Sequence, residues 1–282
     1  MLVMKKSPFI WNNVHFVGEL SLDWENPKVC RYMPFSRVCE MLKNRQIAFV
    51  SPELWEDPFE KRFYDVKVVK NKEGKPKESV ALPNMACLCF TSSSSENAEA
   101  FWSRSKTSDE PYIRVVFDLY ELLDALNSFA DKHSARIYFA AAKYEFEHEI
   151  KNVHKKRNFT EDKLERSYVS LMSLKRKAFS YEQELRLFIV WDKNSKKIKD
   201  FDKNKVVFVS YKKSFNNLIK RMTFDPRLDS FEDDENSEKD KKAESKYEKE
   251  LKQVLEDAKL NIDPDFSGLY SGCKCREIEL SK

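Results

Sequence analysis

The stretch that decides the fold is Lys175-Arg-Lys-Ala-Phe-Ser-Tyr-Glu-Gln-Glu-Leu-Arg-Leu-Phe-Ile-Val-Trp191, in which charged residues lead into a strongly apolar run. Because side chains alternate along a strand, the pattern predicts Glu182, Glu184 and Arg186 on one face. A nearly unbroken apolar run is typical of a strand that is covered on both faces. We therefore expect the charged beginning at a sheet end or cleft rim, where it needs partners or a ligand. On an exposed strand the same pattern would be a plain ion pair.

The composition indicates a globular protein with a real core. The 282 residues are 41% hydrophobic and 13% aromatic, which is enough for one large domain or two small ones. Lys and Arg number 51 against 47 Asp and Glu, and the net charge of +4 is small for this length. The chain has four glycines and lacks both the G-x-G-x-x-G and the Walker patterns, which argues against Rossmann and P-loop enzymes.

The N-terminal sequence lacks the apolar run of a secretory signal, and no 18-residue apolar window occurs, so we expect a cytoplasmic protein that does not contact membranes. The six cysteines fit reduced thiols better than a disulfide framework. The Cys87/Cys89 and Cys273/Cys275 pairs could supply zinc ligands, but their spacing is tighter than in a usual zinc knuckle. We assign no metal site and expect Cys87 and Cys89 on one face of a buried strand.

Short strands interleaved with helices of unequal length predict an α+β fold with curved, mostly antiparallel split sheets and flanking helices. Residues 1–28 are expected to form a loosely structured N-terminal leader, and residues 29–282 a single domain. Within it, residues 229–246 are rich in Asp, Glu, Lys and Ser and predict a disordered insertion. The clearest expected elements are strands over 46–50, 86–91, 112–118, 181–191 and 205–211, and helices over 119–133 and 247–259.

A loop of fixed shape follows the predicted strand at 46–50. Its sequence is Ser51-Pro-Glu-Leu-Trp-Glu-Asp-Pro-Phe-Glu60, in which two prolines flank acidic and aromatic residues. Loops of fixed shape often carry binding groups. Ser51 and Asp57, each placed before a proline, are equally well turn-forming residues.

Four segments taken together resemble a bacterial and phage family known as domain-of-unknown-function family 2971. That family shows an Arg-Tyr pair, a Ser-Pro loop ending in Asp-Pro-Phe-Glu, a Trp-Ser-His-Tyr segment and Tyr-Glu-x-Glu-x-Arg, and the resemblance spans about residues 29–275. Two positions depart from it: Trp55-Glu56 replaces Phe-Asn, and Arg104-Ser105 replaces His-Tyr. The matching segments are Cys30-Arg-Tyr-Met-Pro-Phe35, Ile47-Ala-Phe-Val-Ser-Pro-Glu-Leu-Trp-Glu-Asp-Pro-Phe-Glu60, Phe101-Trp-Ser-Arg104 and Phe179-Ser-Tyr-Glu-Gln-Glu-Leu-Arg186.

The order of these segments is similar to the arginine, serine and glutamate pattern of ADP-ribosyltransferases. The resemblance implies NAD as a substrate, with Arg31 on its phosphate or ribose, Ser51 at the nicotinamide side and Glu184 catalytic. Glu182 would activate the acceptor nucleophile, and Arg186 would keep a carboxylate ionised. The predicted cofactor-binding residues are Arg31, Tyr32, Ser51, Asp57, Phe59, Trp102 and Arg186, and Lys175 and Lys177 are predicted to line the cleft entrance for phosphate.

The resemblance implies a bacterial toxin or antiphage effector that modifies nucleic acid or protein, with an antitoxin or defence-system partner. Two alternatives stay open. One is a metal-dependent nuclease with Asp57, Glu182 and Glu184 as ligands and Lys175 or Lys177 near the scissile phosphate. The other is a non-catalytic binding module of a defence or toxin-antitoxin assembly.

Overall fold

The computed structural model describes residues 11–64, 66, 68–70, 78–92, 99–102, 108–156, 163–192, 201–211, 215–228, 245–267 and 269. The strands are β1 Val14–Val17, β2 Lys28–Pro34, β3 Gln46–Val50, β4 Val68–Lys70, β5 Glu78–Val80, β6 Asn84–Thr91, β7 Tyr112–Asp118, β8 Arg136–Ala141, β9 Lys143–Glu145, β10 Leu174–Arg176, β11 Glu184–Trp191, β12 Val206–Ser210, β13 Ile219–Phe224 and β14 Asp265–Phe266. The helices are α1 Phe35–Asn44, α2 Pro58–Lys61, α3 Glu99–Trp102, α4 Leu119–His133, α5 Glu147–Lys156, α6 Leu164–Met172, α7 Phe201–Asn204, α8 Phe215–Leu218 and α9 Lys246–Asp257.

The fold is mixed α+β around one large, mostly antiparallel sheet of ten strands. Its main path runs β1-β8-β11-β6-β2-β7-β13-β14, and β3 joins β6 to β12 beside that path. Only the outermost pairs of the path, β1 with β8 and β13 with β14, run parallel. Two small ribbons complete the strand pairing of the described residues, a parallel one of β9 and β10 and an antiparallel one of β4 and β5. The predicted α+β class with a mostly antiparallel sheet is therefore confirmed.

The sheet divides into two branches along β6. One edge of β6 pairs with β11 over its whole length, while the other edge meets β3 at Cys87 and β2 at Thr91. Between these two points, the Cys89 carbonyl accepts a 2.8 Å hydrogen bond from Nη1 of Arg31. A side-chain donor thus takes the place of a ladder partner where the branches diverge, because buried carbonyls need a donor.

Strand β11 is the centre of the core, and all eight of its residues are buried, which confirms the expectation of a strand covered on both faces. Leu185, Leu187 and Ile189 face the larger core, which α1, α4 and α9 cover. Phe188 and Val190 face a smaller core under α6.

The structure corrects the predicted beginning of this strand. Residues Lys177–Glu182 form a 3₁₀ turn, and Gln183 lies in the left-handed region with a φ of 42°. The alternation predicted from Glu182 is therefore wrong. Only Glu184 and Arg186 share a strand face, and Glu182 approaches them from the turn.

Two expectations about the ends of the domain also change. Val14–Val17 of the predicted leader is β1 and pairs with β8, so this part of the leader belongs to the sheet. The predicted insertion lies outside the described residues over 229–244. Helix α9 begins directly after it, because Ser245 and Glu248 form a reciprocal capping box. Among the described helices, none is long and apolar enough to cross a membrane.

The junction of β7 and α4 gives a test of the fold. The Asp118 carboxylate accepts hydrogen bonds from the backbone N–H groups of Tyr120 and Glu121 at 2.9 and 3.1 Å. We expect Asp118→Ala to lower the free energy of unfolding by about 1 kcal/mol, because these helix donors lose their acceptor. Urea denaturation measures the change, and Ser128→Ala on the exposed side of α4 is the control, expected to change it by less than about 0.5 kcal/mol. Equal losses in both variants would contradict the assignment.

Candidate functional site

Five charged side chains meet at the beginning of β11, and we call them the charged cluster. Glu184 and Arg186 come from β11, Glu182 from the preceding turn, Lys175 from β10, and Glu60 from the short helix α2, which forms the end of the predicted Ser51–Glu60 loop. Four of them are buried, and Glu182 is the most exposed, with 15% of its side chain accessible. Four members therefore come from one stretch of the chain, residues 175–186, and Glu60 joins them from a segment far away in sequence.

Arg186 is the innermost member of the charged cluster, with no exposed surface. Its Nε donates to Oε1 of Glu184 at 2.6 Å, and its Nη2 donates to Oε2 of Glu60 at 2.9 Å. Nη1 donates to the carbonyl of Met172 at 2.5 Å, and the Trp55 ring lies 4.6 Å from the guanidinium carbon. Each guanidinium nitrogen thus has an acceptor, which a fully buried cation requires.

Lys175 bridges the carboxylates of the charged cluster. Its ammonium donates to Glu182 at 2.6 Å and also to Oε2 of Glu184, and it lies 3.6 Å from Oε1 of Glu60. The residue is only 7% exposed. This corrects the expectation that Lys175 lines a cleft entrance, because its ammonium is turned inward and bonded to protein carboxylates.

The charged cluster shifts the pKa values of Glu182 and Glu184 in opposite directions. Burial alone would raise the pKa of Glu184, but Arg186 and Lys175 outweigh it and hold that pKa well below the usual range. Burial raises the pKa of Glu182, and the charge of Glu184 adds to this effect against the pull of Lys175. Glu184 is therefore fixed as an anion, while Glu182 is the carboxylate that takes up a proton more readily.

The backbone of Glu184 is also held in place. Its N–H donates to the phenol oxygen of Tyr144 in β9 at 2.7 Å. Burial raises the pKa of Tyr144 to about 12, so the phenol stays protonated at neutral pH. Tyr144 thus bounds the charged cluster on the side of the β9–β10 ribbon.

Asp57 and Phe59 anchor the loop beside the cluster. The Asp57 carboxylate accepts from the Phe59 N–H at 2.9 Å, and its second oxygen accepts from Nε of Arg176 at 3.0 Å. The Arg176 guanidinium carbon lies 5.1 Å from the centre of the Phe59 ring and 4.9 Å from that of Phe179. Asp57 and Phe59 therefore lie next to the charged cluster, where they hold the loop against β10.

The other predicted cofactor residues take several different places. Ser51 is completely buried, and its hydroxyl accepts from the Glu53 N–H at 3.2 Å, so it caps a short 3₁₀ turn. Trp102 is also completely buried, and Tyr32 packs edge-on against it at 4.7 Å. Arg31 reaches the carbonyl of Cys89, whose register partner on β11 is Arg186. Arg31 is thus connected to the strand pair β6–β11 that carries the cluster.

Sequence reasoning missed two members of the site. Glu60 ends the loop motif, was assigned no role by the sequence, and binds Arg186 and Lys175. Tyr144 sits in a three-residue strand within a charged segment and has no distinguishing pattern around it. The Asp-Pro-Phe-Glu60 ending was the one sequence signal that could have pointed to Glu60.

The described residues do not support the metal alternative. They contain no group of three or more His, Cys, Asp or Glu side chains that could hold a metal ion. Asp57 bonds to Arg176, whereas Glu182 and Glu184 bond to Lys175. The sulfurs of Cys87 and Cys89 lie 4.0 Å apart on one face of β6, as predicted, while Cys273 and Cys275 lie outside the described residues.

Comparisons with family models, with curated proteins and with solved structures find no match to this chain. The resemblances to family 2971 and to ADP-ribosyltransferases thus stay predictions that rest on the quoted segments.

The pairing of Arg186 gives a stability prediction. We expect Arg186→Met to lower the free energy of unfolding by about 3–5 kcal/mol, because Glu60 and Glu184 lose their shared buried cation. The matched control is Arg37→Met, which removes an exposed pair with Glu40 and should cost about 0.3 kcal/mol. Guanidinium denaturation measures both variants at neutral pH. A small loss in Arg186→Met would show that the cluster contributes little to folding.

The pKa of Glu184 gives a pH prediction. Its folded pKa lies below the value of about 4.3 for an unfolded chain, so its stabilising effect is present above that pH and is lost as the pH falls through the folded pKa. We expect wild type to exceed Glu184→Gln in free energy of unfolding at pH 7 and the difference to shrink at about pH 3. Urea titrations at both pH values measure it. A difference that stays constant would contradict the assigned direction.

Proposed function

We propose that the charged cluster is the catalytic centre of a NAD-dependent ADP-ribosyltransferase-like enzyme, a toxin or antiphage effector that modifies nucleic acid or protein. The observation that carries the proposal is the pair Glu182 and Glu184, which share Lys175 but have pKa values displaced in opposite directions. Two carboxylates whose pKa values differ in this way can serve as a permanent anion and a proton acceptor.

Glu184 supplies the permanent anion in this proposal. When the bond between nicotinamide and ribose breaks, positive charge develops on the sugar, as it does in glycoside cleavage. A carboxylate that is already oriented stabilises that charge without having to reorganise. Arg186 and Lys175 fix the orientation of Glu184, and they keep it ionised.

Glu182 supplies the base. A nucleophilic X–H group of the acceptor attacks the anomeric carbon of the ribose, nicotinamide leaves with the electrons of the broken bond, and the proton passes to Glu182. Its raised pKa suits this role. Because Glu182 is more exposed than Glu184, the substrates would reach the pair from the side of the 3₁₀ turn.

The surroundings divide the predicted NAD residues into two groups. Arg31 and Tyr32 are half-buried and keep surface for a ligand, so they remain contacts in the proposal. Ser51, Trp102 and Arg186 are fully buried, so their part is to hold neighbouring groups in place. Asp57 and Phe59 support the loop from beside the cluster.

One observation favours a second candidate, a non-catalytic binding module. Glu60, Glu182 and Glu184 all have a cation within 4 Å. Such complete pairing is also what a purely structural clamp requires. In that case the cluster would fix the loop and the turn for contact with a partner in a defence or toxin-antitoxin assembly.

The enzymatic proposal predicts NAD turnover that depends on the cluster. With labelled NAD and cell lysate, wild type should release nicotinamide and transfer label to an acceptor. We expect Glu182→Gln to slow this by about 10²- to 10⁴-fold, because the proton acceptor is lost. Glu184→Gln should abolish turnover, since the developing charge loses its carboxylate.

The matched control is Glu165→Gln, which removes a partly buried carboxylate paired with Arg136 at the far end of β8. It should leave turnover unchanged. Melting temperatures of all variants separate unfolding from loss of chemistry. If wild type releases no nicotinamide and NAD does not raise its melting temperature, the binding-module candidate replaces the enzyme.

A further inference from the structure

The β9–β10 ribbon connects the charged cluster to the protein surface. Its strands run parallel, with Lys175 beside Tyr144 and Arg176 beside Glu145. Lys177, the first residue of the 3₁₀ turn, directly follows β10, and Phe146 directly follows β9, so both lie at the end of the ribbon. The ribbon thus leads in one short step from the buried cluster to an exposed ring and an exposed cation.

A depression of about 390 Å³ lies at this end of the ribbon. The Phe146 ring is 53% exposed, and the Lys177 ammonium lies 4.5 Å from its centre. The His148 ring stacks at 5.9 Å with an angle of 16° to the Phe146 ring. The lining residues are Phe146, Glu147, Arg176, Lys177 and Ala178. What distinguishes Phe146 is the combination of an exposed ring, an adjacent cation and a depression beside them.

Two cations, Arg176 and Lys177, and one carboxylate, Glu147, line the depression. The nearby carboxylates are all engaged within the protein, whereas in the described part of the chain the ammonium groups of Lys151 and Lys177 have ring faces, not carboxylates, as their contacts. The engaged carboxylates are Glu145 with Lys143 at 2.5 Å, Glu147 with Arg176 at 3.5 Å, and Glu149 with the Phe146 N–H at 3.2 Å.

We propose that this depression binds single-stranded nucleic acid, with an unpaired base stacked on Phe146 and phosphates near Lys177 and Lys151. Aromatic rings that accept bases beside cations that accept phosphates are the common features of single-strand sites. A base within a duplex has both faces covered and cannot stack on Phe146. The ring and the two cations therefore select an unpaired strand.

This inference rests on the proposed function in one respect, because it makes the bound nucleic acid the acceptor of the ADP-ribose group. The 3₁₀ turn Lys177–Glu182 joins the depression to the proton acceptor. At about 2 Å rise per residue, Glu182 lies about 10 Å from Lys177. A base held at Phe146 thus leaves a neighbouring nucleotide close to Glu182. Binding of the strand itself needs neither NAD nor turnover.

The test is fluorescence anisotropy without NAD, using labelled oligo-dT and oligo-U of about 12 nucleotides and a duplex of equal length. Wild type should bind the single strands more tightly than the duplex. Phe146→Ala should weaken binding about 5- to 100-fold, because one base loses its stacking partner. The matched control is Phe208→Ala, which removes an equally exposed ring from β12 and should leave the affinity unchanged.

A second pair of variants tests the phosphate contact. Lys177→Gln should reduce the magnitude of the slope of log affinity against log salt by about 0.7, the value for one phosphate of a single strand. Lys249→Gln on the exposed side of α9 is its control and should not change the slope. Comparison of oligo-dT with oligo-U shows which kind of strand is preferred.

Three results would overturn the inference: no anisotropy change up to about 100 µM protein, the weak end of non-specific binding; equal affinity for duplex; or equal losses in Phe146→Ala and Phe208→Ala. Because binding is measured without NAD, an inactive protein that still binds single strands through Phe146 would disprove the proposed chemistry and leave the binding site standing.

Discussion

The structure depends on two buried cations that pair with three carboxylates. Lys175 and Arg186 draw Glu60, Glu182 and Glu184 together from the loop, the 3₁₀ turn and β11. Moving such charges out of water costs several kcal/mol each, and only close pairing with good hydrogen bonds offsets that cost. The cluster therefore restrains every segment that contributes to it, and the position of the Ser51–Glu60 loop follows from the position of β11.

Three consecutive basic residues perform three different physical tasks. Lys175 is turned inward to the carboxylates, Arg176 is held between two aromatic rings and bonds to Asp57, and Lys177 reaches the surface beside Phe146. The alternation of side chains in β10 separates the first two, and the start of the 3₁₀ turn redirects the third. A solvated basic run would have placed all three in water.

The enzymatic and the structural interpretations of the cluster share the same interactions. A buried carboxylate with two cationic partners is both a strong tie within the fold and a preorganised anion. The two interpretations differ at Glu182, because only the enzymatic one requires a carboxylate that a substrate can reach, and Glu182 is the most exposed member of the cluster. The ribbon that links Glu182 to an exposed aromatic and basic depression adds a surface that a purely structural tie does not need.

The sequence by itself determined what local periodicity can specify. The apolar run identified β11 as a buried strand, the helix over Leu119–His133 was predicted to the residue, and Cys87 and Cys89 were placed on one face. Only the tertiary structure added Glu60 and Tyr144 to the site. Glu60 and Arg186 are 126 residues apart in sequence. Their contact follows from strand order and register, which the residue pattern within a single strand does not specify. The left-handed backbone of Gln183 interrupts the predicted alternation, so Glu182 lies in the turn and not in the strand.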